Sequence, residues 1–278
     1  MHEPSSKLAD KSLTCGFCKR FNGAPVTHTR SFMEIHYISE PEFKEPVMIA
    51  AWPGMGYLAK ISADYLRRRL GAEKFAEIQY YQNAIVYKEG IIELPPLKHR
   101  FYSVPDKNIL ICVGDAQPST PEEATKLAEK VVELAEKYGV KRIYTMAAYP
   151  SDYPDEPQVF GVYTHEHIRD ELEEHGVNFV EGEGAINGLN GVLVGIAMKK
   201  GIEGVCLMGQ IRYANVPQHL SSKAVLERLT SVMGIEIDTS HLEKRAKKVD
   251  ASIRKSLGDF QVDDELTKRE EKSFRYIS

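Results

Sequence analysis

From residue 47 onward the chain alternates two kinds of segment. Short, mostly apolar runs at 47–52, 109–113, 142–146, 177–180 and 204–208 read as buried strands. Between them lie segments whose apolar residues recur every three or four positions, the spacing of a helix with one face on a core. These cover 57–70, 121–138, 166–174, 187–200 and 221–233. Leu58, Ile61, Leu66 and Leu70 mark the stripe of the first helix. The second has the clearest start signal, with Thr120 as N-cap, Pro121 in the first helical position and Glu123 closing a capping box. Gly71, Gly139, Gly176 and Gly234 supply stops. Residues 76–104 read differently, as a meander of short strands at 76–81, 84–87, 91–94 and 101–104, with Glu89-Gly90 as a turn. The alternation predicts an α/β fold, a mostly parallel central sheet with helices on both faces.

The flanks break this rhythm. Residues 1–44 have weak periodicity and read as an N-terminal arm, with one strand at 32–38. The α/β domain then spans 45–238. Residues 239–260 form a C-terminal helical segment in which Leu242, Ala246, Val249, Ile253, Leu257 and Phe260 follow alternating steps of four and three. That seam suits either an amphipathic helix packed on its own domain or a helix that meets a partner. Residues 261–278 read as a charged, solvated tail.

Charge and cysteine usage narrow the classes. Lys and Arg total 36 and Asp and Glu 40, for a net charge of −4, which excludes a generally basic nucleic-acid coat. No apolar run approaches the roughly 18 residues of a membrane span. The first 13 residues lack the apolar stretch of a secretory signal. Four cysteines in 278 residues make no disulfide framework. The expectation is a cytoplasmic protein with reduced thiols that binds neither nucleic acid nor membrane.

The strongest local candidate for chemistry is Gly54-Met55-Gly56-Tyr57-Leu58-Ala59, a G-x-G-x-x-A run between strand and helix. It reads as an anion-binding turn at a helix N-terminus or as a plain glycine turn. A dinucleotide site also needs an acid at the end of the next strand, and Tyr80-Tyr81-Gln82-Asn83 has none. A second glycine-rich loop, 182–191, precedes the 187–200 helix. Asp115 follows the 109–113 strand and belongs to the same sheet edge. Gly54, Gly56, Tyr57, Asp115, Asn187, Gly188 and Asn190 thus form one candidate ligand site, without an evident nucleophile–base pair. Cys15-Gly16-Phe17-Cys18 is a C-x-x-C in the arm, a weak zinc or redox candidate: His28 and His36 stand outside the usual ligand spacing. His165 and His167 are two apart and point to different faces of a helix start. No cofactor is expected.

In their order along the chain, Ala51-Trp52-Pro53-Gly54-Met55-Gly56, Tyr87–Leu94 (YKEGIIEL) with Pro95, Val113-Gly114-Asp115-Ala116-Gln117-Pro118, Ile143-Tyr144-Thr145-Met146 and Ile186-Asn187-Gly188-Leu189-Asn190-Gly191 resemble the proteasome assembly chaperone family in its archaeal and bacterial branch. Val216-Pro217 and Gly234-Ile235-Glu236-Ile237-Asp238 also fit. The resemblance implies a three-layer α/β/α sandwich like that of nucleoside phosphorylases, self-association, and binding of other proteins. In archaeal relatives a C-terminal hydrophobic–Tyr–any-residue tail can engage the proteasome. This chain ends Phe274-Arg275-Tyr276-Ile277-Ser278, with Tyr third from the end, so Phe274, Tyr276 and Ile277 are its partner-binding candidates.

Two functions follow as expectations. The first is a non-catalytic, chaperone-like protein that acts as a homo-oligomer, with proteasome subunits as partners. The second is an enzyme or sensor that binds a phosphate, nucleotide or carboxylate over the Gly54–Gly56 and Asn187–Asn190 loops.

Overall fold

The computed structural model describes residues 33–81 and 85–253. Cys15, Cys18, Leu257, Phe260, Phe274, Tyr276 and Ile277 fall outside the described residues. The chain runs β1 (Glu34–Tyr37), β2 (Val47–Ala51), a 3-10 turn (Met55–Tyr57), α1 (Leu58–Arg69) and β3 (Glu73–Tyr80). A hairpin follows, β4 (Val86–Lys88) and β5 (Ile91–Glu93), then β6 (Leu97–Val104), β7 (Ile109–Gly114), α2 (Pro121–Lys137) and β8 (Arg142–Pro150). The remainder is β9 (Val159–Tyr163), α3 (Ile168–Glu174), β10 (Asn178–Phe179), α4 (Leu189–Lys199), β11 (Glu203–Ile211) and α5 (His219–Val232). A last helix, α6, covers 240–253.

Nine strands form one sheet in the order β1-β3-β6-β7-β2-β8-β11-β9-β10. Its centre, β7-β2-β8-β11, is parallel throughout. The meander β3-β6-β7 and the strands β1 and β9 join it antiparallel. The central strands are apolar on both faces because both are covered. Along β2, Ile49 and Ala51 face the core under α1 and α5, while Met48, Ala50 and then Trp52 face the core under α2 and α4. β7 splits the same way, Ile109, Ile111 and Val113 against Leu110 and Cys112. Three layers, α/β/α, result.

The boundary signals explain much of the helical layer. The Thr120 hydroxyl accepts from the Glu123 amide at 3.2 Å and the Glu123 carboxylate accepts from the Thr120 amide at 3.3 Å, so the capping box of α2 is formed. α4 begins at Leu189 and not at 187, because Gly188 stands at φ +81° and breaks the helical path.

Three findings go beyond the sequence reading. β8 and β11 continue to Pro150 and Ile211, and they pair over their whole length. β9 was not expected: it is five residues long and follows Pro150, Pro154 and Pro157, which obscure its pattern. Residues 33–44 attach to the domain, with Glu34–Tyr37 paired to Ala76–Gln79 of β3 and Met33 buried in the core. Leu242 of α6 is fully buried in the α1–α5 core, so at this point the last helix lies on its own domain. Among the described residues no helix is long and apolar enough to cross a membrane.

Candidate functional site

The carboxyl ends of β2, β7, β8 and β11 lie along one edge of the sheet. From there the chain after β2 turns onto one face, into α1, and the chain after β7 onto the other, into α2. Diverging connections of this kind open a crevice at the sheet edge. Here it is a cleft of about 1010 Å³. Its apolar wall consists of Val162, Val180, Ile186, Val194, Cys206 and Met208, a packed cluster of its own. Gly54, Asn187, Gly188 and Asn190 lie on its rim. Tyr57 and Asp115 instead line a smaller adjoining cavity of about 580 Å³, which shares Gly54, Met55 and Gln117 with the cleft.

The loop after β2 is built as a turn. The Gly56 amide donates to the Ala214 carbonyl at 2.6 Å, the Tyr57 amide to the Gly54 carbonyl at 2.9 Å, and the Leu58 amide to the Met55 carbonyl. The amides that an anion cradle would use at positions 56–58 therefore already have partners. Gly56 is buried at φ +62°, and a Cβ there would fall 2.5 Å from the Gln218 side chain. It faces the molecule, not the cleft. Tyr57 is half exposed.

The second loop is also held by its own chain. The Asn190 side chain is buried, accepts from the Trp52 amide at 3.0 Å and donates to the Trp52 carbonyl at 3.3 Å, so it clamps the end of β2. The first amide of α4, Leu189 N–H, donates to the Gln117 side-chain oxygen at 2.8 Å. Gln117 thus occupies the place at this helix N-terminus where an anion would sit. Asp115 pairs with Arg100 at 2.6 Å. Asn187 is exposed on the rim.

The electrostatics of the cleft follow from its lining. Among the described residues that line it there is no Lys, Arg, His, Asp or Glu. Its ionisable side chains are the Tyr149 phenol and the Cys206 thiol; burial pushes the thiol up to about 11, so it stays protonated near neutral pH. In the smaller cavity Lys60 and Asp115 are the charged groups. The wall residues of β9 and the cap from Gln117 were not identified from sequence. The proline-flanked run Val159–Tyr163 carried the first signal, whereas nothing local marks Gln117 as the cap of a helix that begins at Leu189. His167 Nε2 donates to the Glu203 carboxylate at 2.7 Å at the amino-terminal end of β11, away from the cleft, and among the described residues no group of His, Cys, Asp and Glu could hold a metal ion.

One prominent feature lies outside the lining of both cavities. β4 and β5 form a separate two-stranded sheet joined to neither β3 nor β6, and its apolar side chains are exposed.

Comparisons with known proteins place this architecture. The sequence profile of the PAC2 family matches residues 48–257. An uncharacterized protein of Methanocaldococcus jannaschii is 31% identical over 218 residues, 75% of this chain and 82% of that protein. The crystal structure of Pyrococcus furiosus PbaB, an archaeal proteasome activator, superposes with a TM-score of 0.72 at 29% identity, over 81% of this chain and 98% of PbaB. Pyrococcus furiosus PbaA, an archaeal homolog of proteasome-assembly chaperone, superposes with a TM-score of 0.69 over 89% of this chain and all of PbaA; at 22% identity it speaks for the fold alone. With the profile covering most of the chain and the three-layer fold in common, this protein belongs to the PAC2 family.

Proposed function

We propose that this chain is a non-catalytic, chaperone-like protein of the cytoplasm that works as a homo-oligomer and has proteasome subunits as partners. The similarity to PbaB carries this reading, because it extends over nearly all of that activator's chain. The site chemistry is consistent with it. The thiol in the cleft is held protonated, and the amides of Gly56, Tyr57, Leu58 and Leu189 are engaged within the protein. Among the described residues the largest group of exposed apolar side chains lies on the β4–β5 hairpin, as suits a protein that binds proteins. Phe274, Tyr276 and Ile277 are proposed to dock into the partner.

The test is affinity capture with the tagged full chain and with a chain lacking Phe274–Ser278, in extracts of the native host. The reading expects proteasome subunits on the full chain and their loss on deletion. Their absence from both would remove it.

The cleft supports a second reading, ligand binding. Its volume is that of a small-molecule pocket. An uncharged, apolar wall suits a neutral ligand better than the phosphate, nucleotide or carboxylate that the glycine loops suggest in sequence. A thermal-shift screen separates the two: stabilisation by neutral apolar compounds favours this reading, and a flat response to every class removes it.

A further inference from the structure

β8 outruns its neighbour on one side. It pairs with β11 from Arg142 to Pro150, but β2 accompanies it only as far as Ala50 opposite Thr145. Beyond that point the Asn190 side chain takes the place of β8 as partner of β2, accepting from the Trp52 amide and donating to the Trp52 carbonyl. Residues 146–150, about 16 Å of strand, are left with an open edge. Main-chain groups of successive strand residues point to opposite sides. The Ser151 amide donates to the Ile211 carbonyl and the Glu203 amide to the Lys141 carbonyl, each at 3.1 Å, so the odd-numbered residues of β8 face β11. Ala148 therefore turns its N–H and C=O to the open edge, where among the described residues neither meets a hydrogen-bond partner. Ala147, Ala148 and Tyr149 all line the cleft. The side chains of Ala147 and Tyr149 pack towards Val194, Cys206 and Met208, and that of Ala148 towards the α1–α5 core, so the cleft reaches the open edge from both faces of the sheet.

We propose that the cleft is a peptide-binding site: an extended, uncharged segment of a partner protein adds to β8 as a strand beside residues 146–150. Its main chain pairs with the Ala148 N–H and C=O, and every second side chain enters the apolar pocket over Cys206 and Met208. This rests on the ligand-binding reading of the cleft and names the ligand. The open main-chain pair of Ala148 decides the class. An apolar ligand without an amide would cover that donor and that acceptor and satisfy neither, which costs free energy. A peptide main chain offers an acceptor and a donor at strand spacing and satisfies both, while its alternate side chains supply the specificity. The lining holds no Lys, Arg, Asp or Glu, so a charged side chain in the pocket would lose its water without gaining a counter-ion.

The test pans random heptapeptides displayed on phage against the immobilised full chain. A capped synthetic peptide of the enriched sequence then serves as the probe for amide hydrogen exchange, followed by NMR. In the free protein the Ala148 amide is expected to exchange at least tenfold faster than those of Ala147 and Tyr149, which face β11. The peptide should slow it at least tenfold. Ala148→Pro removes an N–H that β11 does not use, so it should keep the parent's circular dichroism spectrum and weaken the peptide at least tenfold. The exchange measurement needs no variant and decides the matter even if Ala148→Pro fails to fold. A library that yields no enriched sequence, or enriched peptides that leave Ala148 exchange unchanged, overturns the proposal. If neutral compounds without an amide then stabilise the chain, the ligand-binding reading of the cleft stands without it; if none does, both fall.

Discussion

Trp52, His99 and Gly114 show how tightly single residues hold the end of the central strands. The Trp52 indole N–H donates to His99 Nδ1 at 2.8 Å, and Gly114 passes so close that a Cβ there would fall 2.1 Å from the indole and 2.5 Å from the imidazole. Both rings are fully buried, so Gly114→Ala must displace one of them. We expect it to lower stability by about 3 kcal/mol, read by denaturant unfolding. His99 has a pH signature as well. Burial depresses its pKa from 6.5 to about 4, so it stays neutral where an unfolded histidine takes up a proton. Its contribution is intact above pH 6.5 and is lost as pH falls towards 4, by about 3 kcal/mol in all. His99→Gln keeps an acceptor for the indole but cannot titrate in this range, and should flatten that part of the stability–pH curve. An unchanged slope between pH 6.5 and 4 would show that other groups set it.

At the scale of elements, two predictions concern how helices are held. Thr120→Ala removes half of the capping box of α2 and should cost about 1 kcal/mol. Leu242→Ala empties a fully buried position where α6 meets the α1–α5 core and should cost about 2–5 kcal/mol. A loss below about 1 kcal/mol in thermal unfolding would mean that α6 is not docked as described. These elements also show what the sequence makes legible. The capping box, the glycine stops and the fully apolar central strands are local signals, and each is formed where its residues predict. Clefts and contacts between distant segments are not local. Asn190 reads as a ligand candidate in a glycine-rich loop, yet its hydrogen bonds go to Trp52, 138 positions away. Gln117 carries no mark that it caps α4. Gly56 fits a nucleotide-loop pattern, but what requires glycine there is a positive φ and the nearby Gln218 side chain. The hairpin was visible as an apolar repeat around Glu89-Gly90; that its apolar face stays open depends on the tertiary structure.

At the scale of the whole molecule, the protein joins a three-layer body, a neutral cleft at the edge of its parallel strands and an exposed apolar hairpin between β3 and β6 in the chain. Family membership and the likeness to PbaB direct the account towards protein partners, with the proteasome first. The most direct measurement is sedimentation of the labelled full chain with purified 20S proteasome of the same host, at micromolar chain and physiological salt. The account predicts that the label moves with the 20S particle, and that removal of Phe274–Ser278 returns it to its own slower boundary while its unfolding temperature is unchanged. A full-length chain that sediments at the same rate with and without 20S would contradict it.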